Sequence, residues 1–159
     1  MIKVETKQAG FTLIEMVVVI VLLGILAVTA VPKFLNLSKD ANEGSLEGLA
    51  AAVKDEVSLI HAEAIIQGEA GSEVHEVKIG GRKGFVACGY PWGRDGMELL
   101  AKNIEGLENW SVEQKGADYI EFYSDTNPKR RVVYTPLTAE QYVVQCRAVP
   151  KVDIVDCDP

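Results

Sequence analysis

The sequence predicts an α+β fold, in which one long amino-terminal α-helix packs on a carboxy-terminal antiparallel β-sheet. First, residues 11–31 form an apolar segment that suits a helix long enough to cross a membrane. Second, apolar residues between positions 46 and 64 recur at spacings of three and four, which is the period of an amphipathic helix. Third, the chain after residue 73 alternates between short strand-like segments and turn residues. Short connections of this kind favour antiparallel pairing.

The apolar segment contains only three polar residues, Thr12, Glu15 and Thr29. As a helix, its residues rise about 31 Å, which is enough to cross the hydrocarbon core of a bilayer. A charged side chain at the bilayer centre costs roughly 2.5–3.5 kcal/mol, and less near the end of the span. Glu15 therefore carries a cost that an ordinary membrane anchor or export sequence does not need.

The composition of this segment allows two interpretations. In one, Lys3 and Lys7 form the positive region of a secretory signal that is cleaved near residues 28–30. In the other, the chain is cut before the apolar segment, which stays as a membrane anchor. Lys3 and Lys7 would then mark the cytoplasmic side.

Residues 7–15, KQAG followed by FTLIE, resemble the processing site of type IV prepilins. The similarity continues through the apolar segment to Pro32 and covers about the first 40 residues. Residues 32–37, PKFLNL, further resemble the mannose-sensitive haemagglutinin pilins of aquatic gammaproteobacteria.

This resemblance implies the pilin fold and a division into three parts. Residues 1–10 are a leader, residues 11–32 are a transmembrane and assembly helix, and residues 33–159 are a globular domain. A membrane prepilin peptidase is expected to cut after Gly10 and to methylate the new amino group of Phe11.

The resemblance also gives Glu15 a role. Cleavage creates a cationic amine on Phe11, and a buried carboxylate is tolerated when a cation pairs with it. We expect Glu15 of one subunit to meet the Phe11 amine of a neighbouring subunit. Gly24 and Pro32 weaken the helix between them, and the resemblance implies that this stretch can extend in a filament.

After Pro32 the helical pattern resumes and is predicted to continue to Gln67, with Gly68 as the carboxy-terminal stop. The apolar stripe of this part is expected to pack on the sheet. It consists of Leu46, Leu49, Val53, Val57, Ile60 and Ala64. Beyond it, alternation and turn residues predict strands at 74–79, 85–88, 110–114, 119–123, 131–135 and 142–148, with a short helix at 97–104.

The three cysteines, Cys88, Cys146 and Cys157, do not have the C-x-x-C spacing of zinc or redox sites. Outside the cytoplasm they predict one disulfide and one remaining thiol. Type IV pilins commonly close a carboxy-terminal loop with a disulfide, so the resemblance implies a bond between Cys146 and Cys157. Pairs that involve Cys88 remain the alternative.

Other candidate sites have simpler interpretations. Asp153, Asp156 and Asp158 could supply oxygen ligands to calcium, but a solvated acidic tail without a bound metal is the expected state. Trp92 and Trp110 are expected to pack in the core or in turns, with a sugar-binding groove as the alternative. Residues 129–131 are expected to form a solvated hairpin turn, with contacts to acidic neighbours in a filament, or to DNA, as further alternatives.

No cofactor or enzyme activity is expected, because the sequence contains no nucleophile–base constellation and no P-loop. The formal net charge of −7 argues against general nucleic-acid binding.

The expected function is that of a structural pilus subunit, which polymerises with identical subunits for surface attachment and biofilm growth. Expected partners are the prepilin peptidase and the inner-membrane assembly platform. The expected location is the inner membrane and then an extracellular pilus of a Gram-negative bacterium. A type II secretion pseudopilin and an exported soluble binding protein are the alternatives.

Overall fold

The computed structural model describes residues 10–143 and 146–156, so the predicted leader lies outside the described residues except for Gly10. The chain divides into two compact units, Met1–Ala41 and Asn42–Pro159. In chain order the elements are α1 Leu13–Gln67, β1 Val74–Ile79, β2 Arg82–Ala87, β3 Tyr90–Pro91, α2 Gly93–Asn103, a 3₁₀ turn Leu107–Asn109, β4 Ser111–Lys115, β5 Tyr119–Ser124, β6 Asn127–Thr135, α3 Ala139–Val143 and β7 Lys151–Asp156. The predicted α+β class is confirmed.

In the first unit, α1 is apolar on all sides and remains helical through Gly24 and Pro32. From residue 10 to residue 34, every described residue except Ala30 is exposed. This part of α1 therefore has no core of its own chain around it. An all-round apolar helix without such a core matches the pattern of a segment that is covered by lipid or by other chains.

In the second unit, α1 is amphipathic, as its spacing predicts. All six residues of the predicted stripe are buried, and Val53, Ile60 and Ala64 are fully buried. The stripe packs in one core with the apolar residues of α2, β5 and β6. Burial of a side chain of this size contributes about 1.5–3 kcal/mol, so this one face fixes α1 to the unit.

The end of α1 follows from Gly68, whose φ of 79° lies in the left-handed region. The Gly68 N–H donates to the carbonyl of Ile65 at 3.0 Å, and the Glu69 N–H donates to that of Ala64 at 2.8 Å. This pair of bonds is the Schellman motif, which satisfies carbonyls that would otherwise lack donors. The predicted stop at Gly68 is confirmed.

The strands form two antiparallel sheets rather than the single sheet that was expected. One has the order β1-β2-β3, and the other has the order β4-β5-β6-β7. A turn at Gly80 and Gly81 joins β1 to β2, and both glycines have positive φ, as a two-residue hairpin of type I′ requires. The two sheets are joined inside the core, where the Tyr134 hydroxyl of β6 donates to the carbonyl of Pro91 in β3 at 2.7 Å.

The carboxy-terminal prediction was wrong in two respects. Part of the predicted strand 142–148 lies outside the described residues, and its first residues belong to the helix α3. The last strand is β7, in a segment that was predicted to be an acidic tail. The start of α3 is stabilised by half of a capping box, in which the Thr138 N–H donates to the side-chain oxygen of Gln141 at 2.9 Å.

Residues 129–131 were predicted to form a hairpin turn, and this was also wrong, because they lie inside β6. Arg130 contacts Glu43 at 3.0 Å and Asp156 at 2.8 Å. Arg131 pairs with Glu121, the only buried charged residue in the described part of the chain, and its guanidinium lies 4.8 Å from the centre of the Tyr123 ring. The two arginines therefore bind acidic groups of their own chain.

Candidate functional site

The predicted cleavage site lies immediately before the first helix. Gly10 and Phe11 have no regular secondary structure, and the Phe11 side chain is 82% exposed. A peptide bond that is exposed and outside a helix is accessible to a protease. The bond between Gly10 and Phe11 thus lies two residues from the first residue of α1, Leu13.

The start of α1 is fixed by Thr12 and Glu15, which form a reciprocal capping box. The Glu15 N–H donates to the Thr12 hydroxyl oxygen at 3.3 Å, and the Glu15 carboxylate accepts from the Thr12 N–H at 2.8 Å. The Thr12 carbonyl accepts the first helical hydrogen bond, from Met16 N–H at 3.3 Å, which makes Thr12 the N-cap residue. This role of Thr12 was not predicted, although the pattern T-x-x-E before an apolar run indicates it.

The capping box leaves part of the Glu15 carboxylate available. The Thr12 N–H and the Thr12 hydroxyl both donate to Oε2, each at 2.8 Å. Within the described residues, no hydrogen bond or ion pair reaches Oε1. Thr12 therefore orients the carboxylate at the start of the helix, where the helix dipole favours negative charge, and leaves one oxygen for an external cation.

The helix that begins here is the one helix among the described residues that is long and apolar enough to cross a membrane. None of its most apolar 18-residue window is buried within the chain. Gly24 and Pro32 lie inside α1. Their role in helix flexibility stays a prediction.

Comparison with known proteins assigns this segment to a family. Residues 6–31 match the family described as the prokaryotic N-terminal methylation motif, and this match includes Gly10, Phe11, Glu15 and Gly24. The chain is also 44% identical over 58 residues to the type IV narrow pilus major component PilA5 of Thermus thermophilus. In its amino-terminal segment, the chain is similar to type IV pilins.

The aligned part covers 36% of this chain and 50% of the Thermus protein, so the chain spans about half the length of the curated relative that it matches. No solved structure matches the chain. The finer resemblance to the mannose-sensitive haemagglutinin pilins stays a prediction.

The disulfide of this chain differs from the expected one. Cys146 is bonded to Cys88, with the two Cα atoms 5.3 Å apart, so the predicted bond between Cys146 and Cys157 was wrong. Cys157 lies outside the described residues. The bond ties the connection between β6 and β7 to the turn between β2 and β3. Both bonded cysteines have positive φ, 54° at Cys88 and 52° at Cys146, so the chain turns sharply at each end of the bond.

The aspartates that were weighed as a calcium site do not come together. Asp153 and Asp156 lie three positions apart on β7, so their side chains point to opposite faces of the strand. Asp156 pairs with Arg130 instead. Asp158 lies outside the described residues, and no group of three acidic, histidine or cysteine side chains in the described part of the chain is placed to hold a metal ion.

Proposed function

We propose that this chain is a structural subunit of a type IV pilus and has no catalytic role. Prepilin peptidase cleaves it after Gly10 and methylates the amino group of Phe11. The apolar half of α1 anchors the subunit in the inner membrane of a Gram-negative bacterium, until an assembly platform transfers it to a filament of identical subunits. The pilus then serves surface attachment and biofilm growth.

The arrangement of Glu15 carries this proposal. A fully exposed apolar helix suits lipid and, later, the interior of a filament, but either environment makes an unpaired carboxylate costly. The Thr12 cap directs Glu15 towards the helix start and leaves Oε1 without a partner in the described residues. The cationic amine that cleavage creates on the Phe11 of a neighbouring subunit would supply that partner.

The name of the Thermus relative supports a pilus, since that protein is described as the major component of a pilus. Glu43, Asp156 and Glu121 already pair with the arginines of β6. These pairs are internal to the subunit, so the assembly contact falls to the amino-terminal helix.

The test separates the charge of Glu15 from its capping role. Glu15→Gln keeps an oxygen that can accept from the Thr12 N–H but removes the charge, while Glu15→Val removes both. Thr12→Val is the matched control, because it loses the hydroxyl cap and keeps the carboxylate. Removing one partner of a buried ion pair costs roughly 3–5 kcal/mol, so both Glu15 variants should reduce sheared pili about a hundredfold or more.

All three variants should remain membrane-inserted and should begin with methylated Phe11 in mass spectrometry. Normal pilus yield from Glu15→Val would refute the role of Glu15. A mature chain that begins at Val31 would show a cleaved secretory signal and would refute the pilin processing. Methylated parent protein that never enters the sheared fraction would favour a type II secretion pseudopilin.

A further inference from the structure

A groove where α1, β3 and β7 meet has no role in the proposed assembly mechanism. Its volume is about 240 Å³. Among the described residues, Lys54 is the one charged residue that lines it. We call this feature the Lys54 groove. Its apolar lining residues are Val57, Tyr90, Val149, Pro150 and Val152.

The cation in this groove is available to a partner. The Lys54 side chain is exposed, and its ammonium group makes no hydrogen bond or ion pair within the described residues. Its helical neighbours three and four positions away carry no charge; they are Ala50, Ala51, Val57 and Ser58. The groove therefore offers one unpaired cation among apolar side chains. A complementary occupant is mainly apolar and carries a negative charge.

The size of the groove favours a side chain of another protein over a free ligand. Small-molecule sites have volumes of about 300–1,000 Å³, and the Lys54 groove is smaller than this. An adjoining cavity of about 430 Å³ shares Lys54 and Val152, but Glu47 and Asp153 also line it. These two carboxylates repel an acidic occupant, so the smaller cavity is the one that suits it.

A surface with the complementary character lies on α1 itself. Asp55, Leu59, Ala62 and Ile66 follow one another at spacings of four, three and four, so their side chains share one face of the helix. All four are exposed, Leu59 by 63% and Ile66 by 78%. The Asp55 carboxylate has no partner within the described residues. Exposed apolar residues are ordinary when they are isolated, but a continuous row of them marks an interaction surface. We call this row the α1 ridge.

The ridge and the groove lie on different faces of α1. Each residue of an α-helix advances by about 100°, so Asp55 and Leu59 lie about a quarter turn from Lys54 and Ser58, which line the groove. One subunit can therefore present its ridge to a neighbour while its own groove stays open to another. A contact between two different surfaces is heterologous and can repeat from subunit to subunit, as a helical filament requires.

We propose that the Lys54 groove receives the α1 ridge of a second copy of this chain. Leu59 and Ile66 of the ridge cover the apolar lining, and Asp55 pairs with Lys54. The chain has a formal net charge of −7, so its copies repel one another unless opposite charges meet at their contacts. The contact rests on the proposed function, since it joins identical subunits within the filament.

Exchanging the two charges tests the pair directly. Lys54→Asp and Asp55→Lys should each lower the yield of sheared pili about tenfold, because each brings like charges together. The double variant should recover most of the yield, since it restores an opposite pair. Lys129→Asp is the matched control, because Lys129 is exposed and lines neither cavity. It should leave the yield unchanged. A double variant that assembles no better than the single variants would overturn the pairing.

Cross-linking tests whether the two surfaces meet. Leu59→Cys and Val149→Cys, each in a Cys157→Ala background, are expressed in the same cells, and sheared pili are treated with a short bismaleimide. This reagent tolerates a wider separation than a disulfide does. We expect covalent dimers in the mixed pili and none when either variant is expressed alone. Val112→Cys replaces Val149→Cys as the control, because Val112 is 42% exposed and lines neither cavity.

Mixed pili that assemble but give no dimer would overturn the contact, and so would equal cross-linking through Val112→Cys. Dimers from Leu59→Cys alone would show that ridge meets ridge, which also contradicts it. A parent chain that forms no sheared pili would overturn the filament and this contact together. Parent pili without the cross-link would overturn the contact alone, so the two failures are distinguishable.

Discussion

Replacing both Cys88 and Cys146 with alanine should destabilise the unit Asn42–Pro159 by about 4 kcal/mol and leave its fold unchanged. The structure predicts that Cys157→Ala, as the matched control, has no comparable effect. Alanine is preferred to serine because Cys88 is only 1% exposed, so a serine there would bury a hydroxyl group.

The magnitude follows from the length of chain that the disulfide closes. Cys88 and Cys146 are separated by 58 residues. Closing a loop of this length in the unfolded chain removes about 14 cal/mol/K of entropy, which corresponds to about 4 kcal/mol at 25 °C. A marginally stable unit with a total stability of roughly 5–15 kcal/mol would lose a large part of it.

Urea unfolding of the full chain in detergent measures this change. Trp92 and Trp110 both lie in the second unit, so tryptophan fluorescence reports the unfolding of that unit alone. Reducing the disulfide of the parent protein should lower its stability by the same amount, while the double variant should not respond to the reductant.

Trypsin places the three cysteines on separate peptides, 84–94, 132–147 and 152–159. A non-reducing digest should therefore link the first peptide to the second. A link between the second and third peptides would refute the pairing. Destabilisation of less than about 1 kcal/mol in the double variant would refute the entropic argument.

Further predictions concern the core of the same unit. Tyr134→Phe should lower the free energy of unfolding in urea by about 1–3 kcal/mol, because it leaves the buried carbonyl of Pro91 without its donor. An unchanged urea midpoint would contradict this. Burial raises the pKa of the Glu56 carboxyl. Above the folded pKa, the ionised carboxylate therefore lowers the free energy of unfolding. This loss disappears as the pH falls below the unfolded pKa of about 4.3, because the carboxyl is then protonated in both states. Glu56→Gln should thus raise Tm at pH 7 and not at pH 3, and an equal gain at both values would reject burial as the cause. In Gly96→Ala the new Cβ would lie 2.1 Å from the carbonyl oxygen of Phe85, so the variant should lose roughly 1–3 kcal/mol, whereas a Tm equal to that of the parent would show that the backbone adjusts freely.

Much of α1 could be predicted because its determinants lie close together in the sequence. The stripe from Leu46 to Ala64 is buried as its spacing indicates, and Gly68 ends the helix through its own conformational freedom. Two short motifs of the same local kind were overlooked. Thr12 with Glu15, and Thr138 with Gln141, each form capping bonds at the start of a helix. The pattern T-x-x-E/Q indicates both.

The sheets and the disulfide could not be predicted in the same way, because strand partners are chosen by contacts between distant residues. The alternation around residue 145 suits a strand, but β6 pairs with β7 instead. Likewise, Cys157 is nearer to Cys146 in the sequence, whereas the fold brings Cys88 within bonding distance.

The sequence by itself determined the exposed apolar half of α1, the capping pattern of Thr12 with Glu15, and the one-sided second half of α1, because each depends on side chains within a few turns of one helix. Only the tertiary structure decided which cysteines pair, where the last strand lies, and which apolar side chains surround Lys54. Those features depend on the packing of separate elements, since packing decides which residues far apart in the sequence become neighbours.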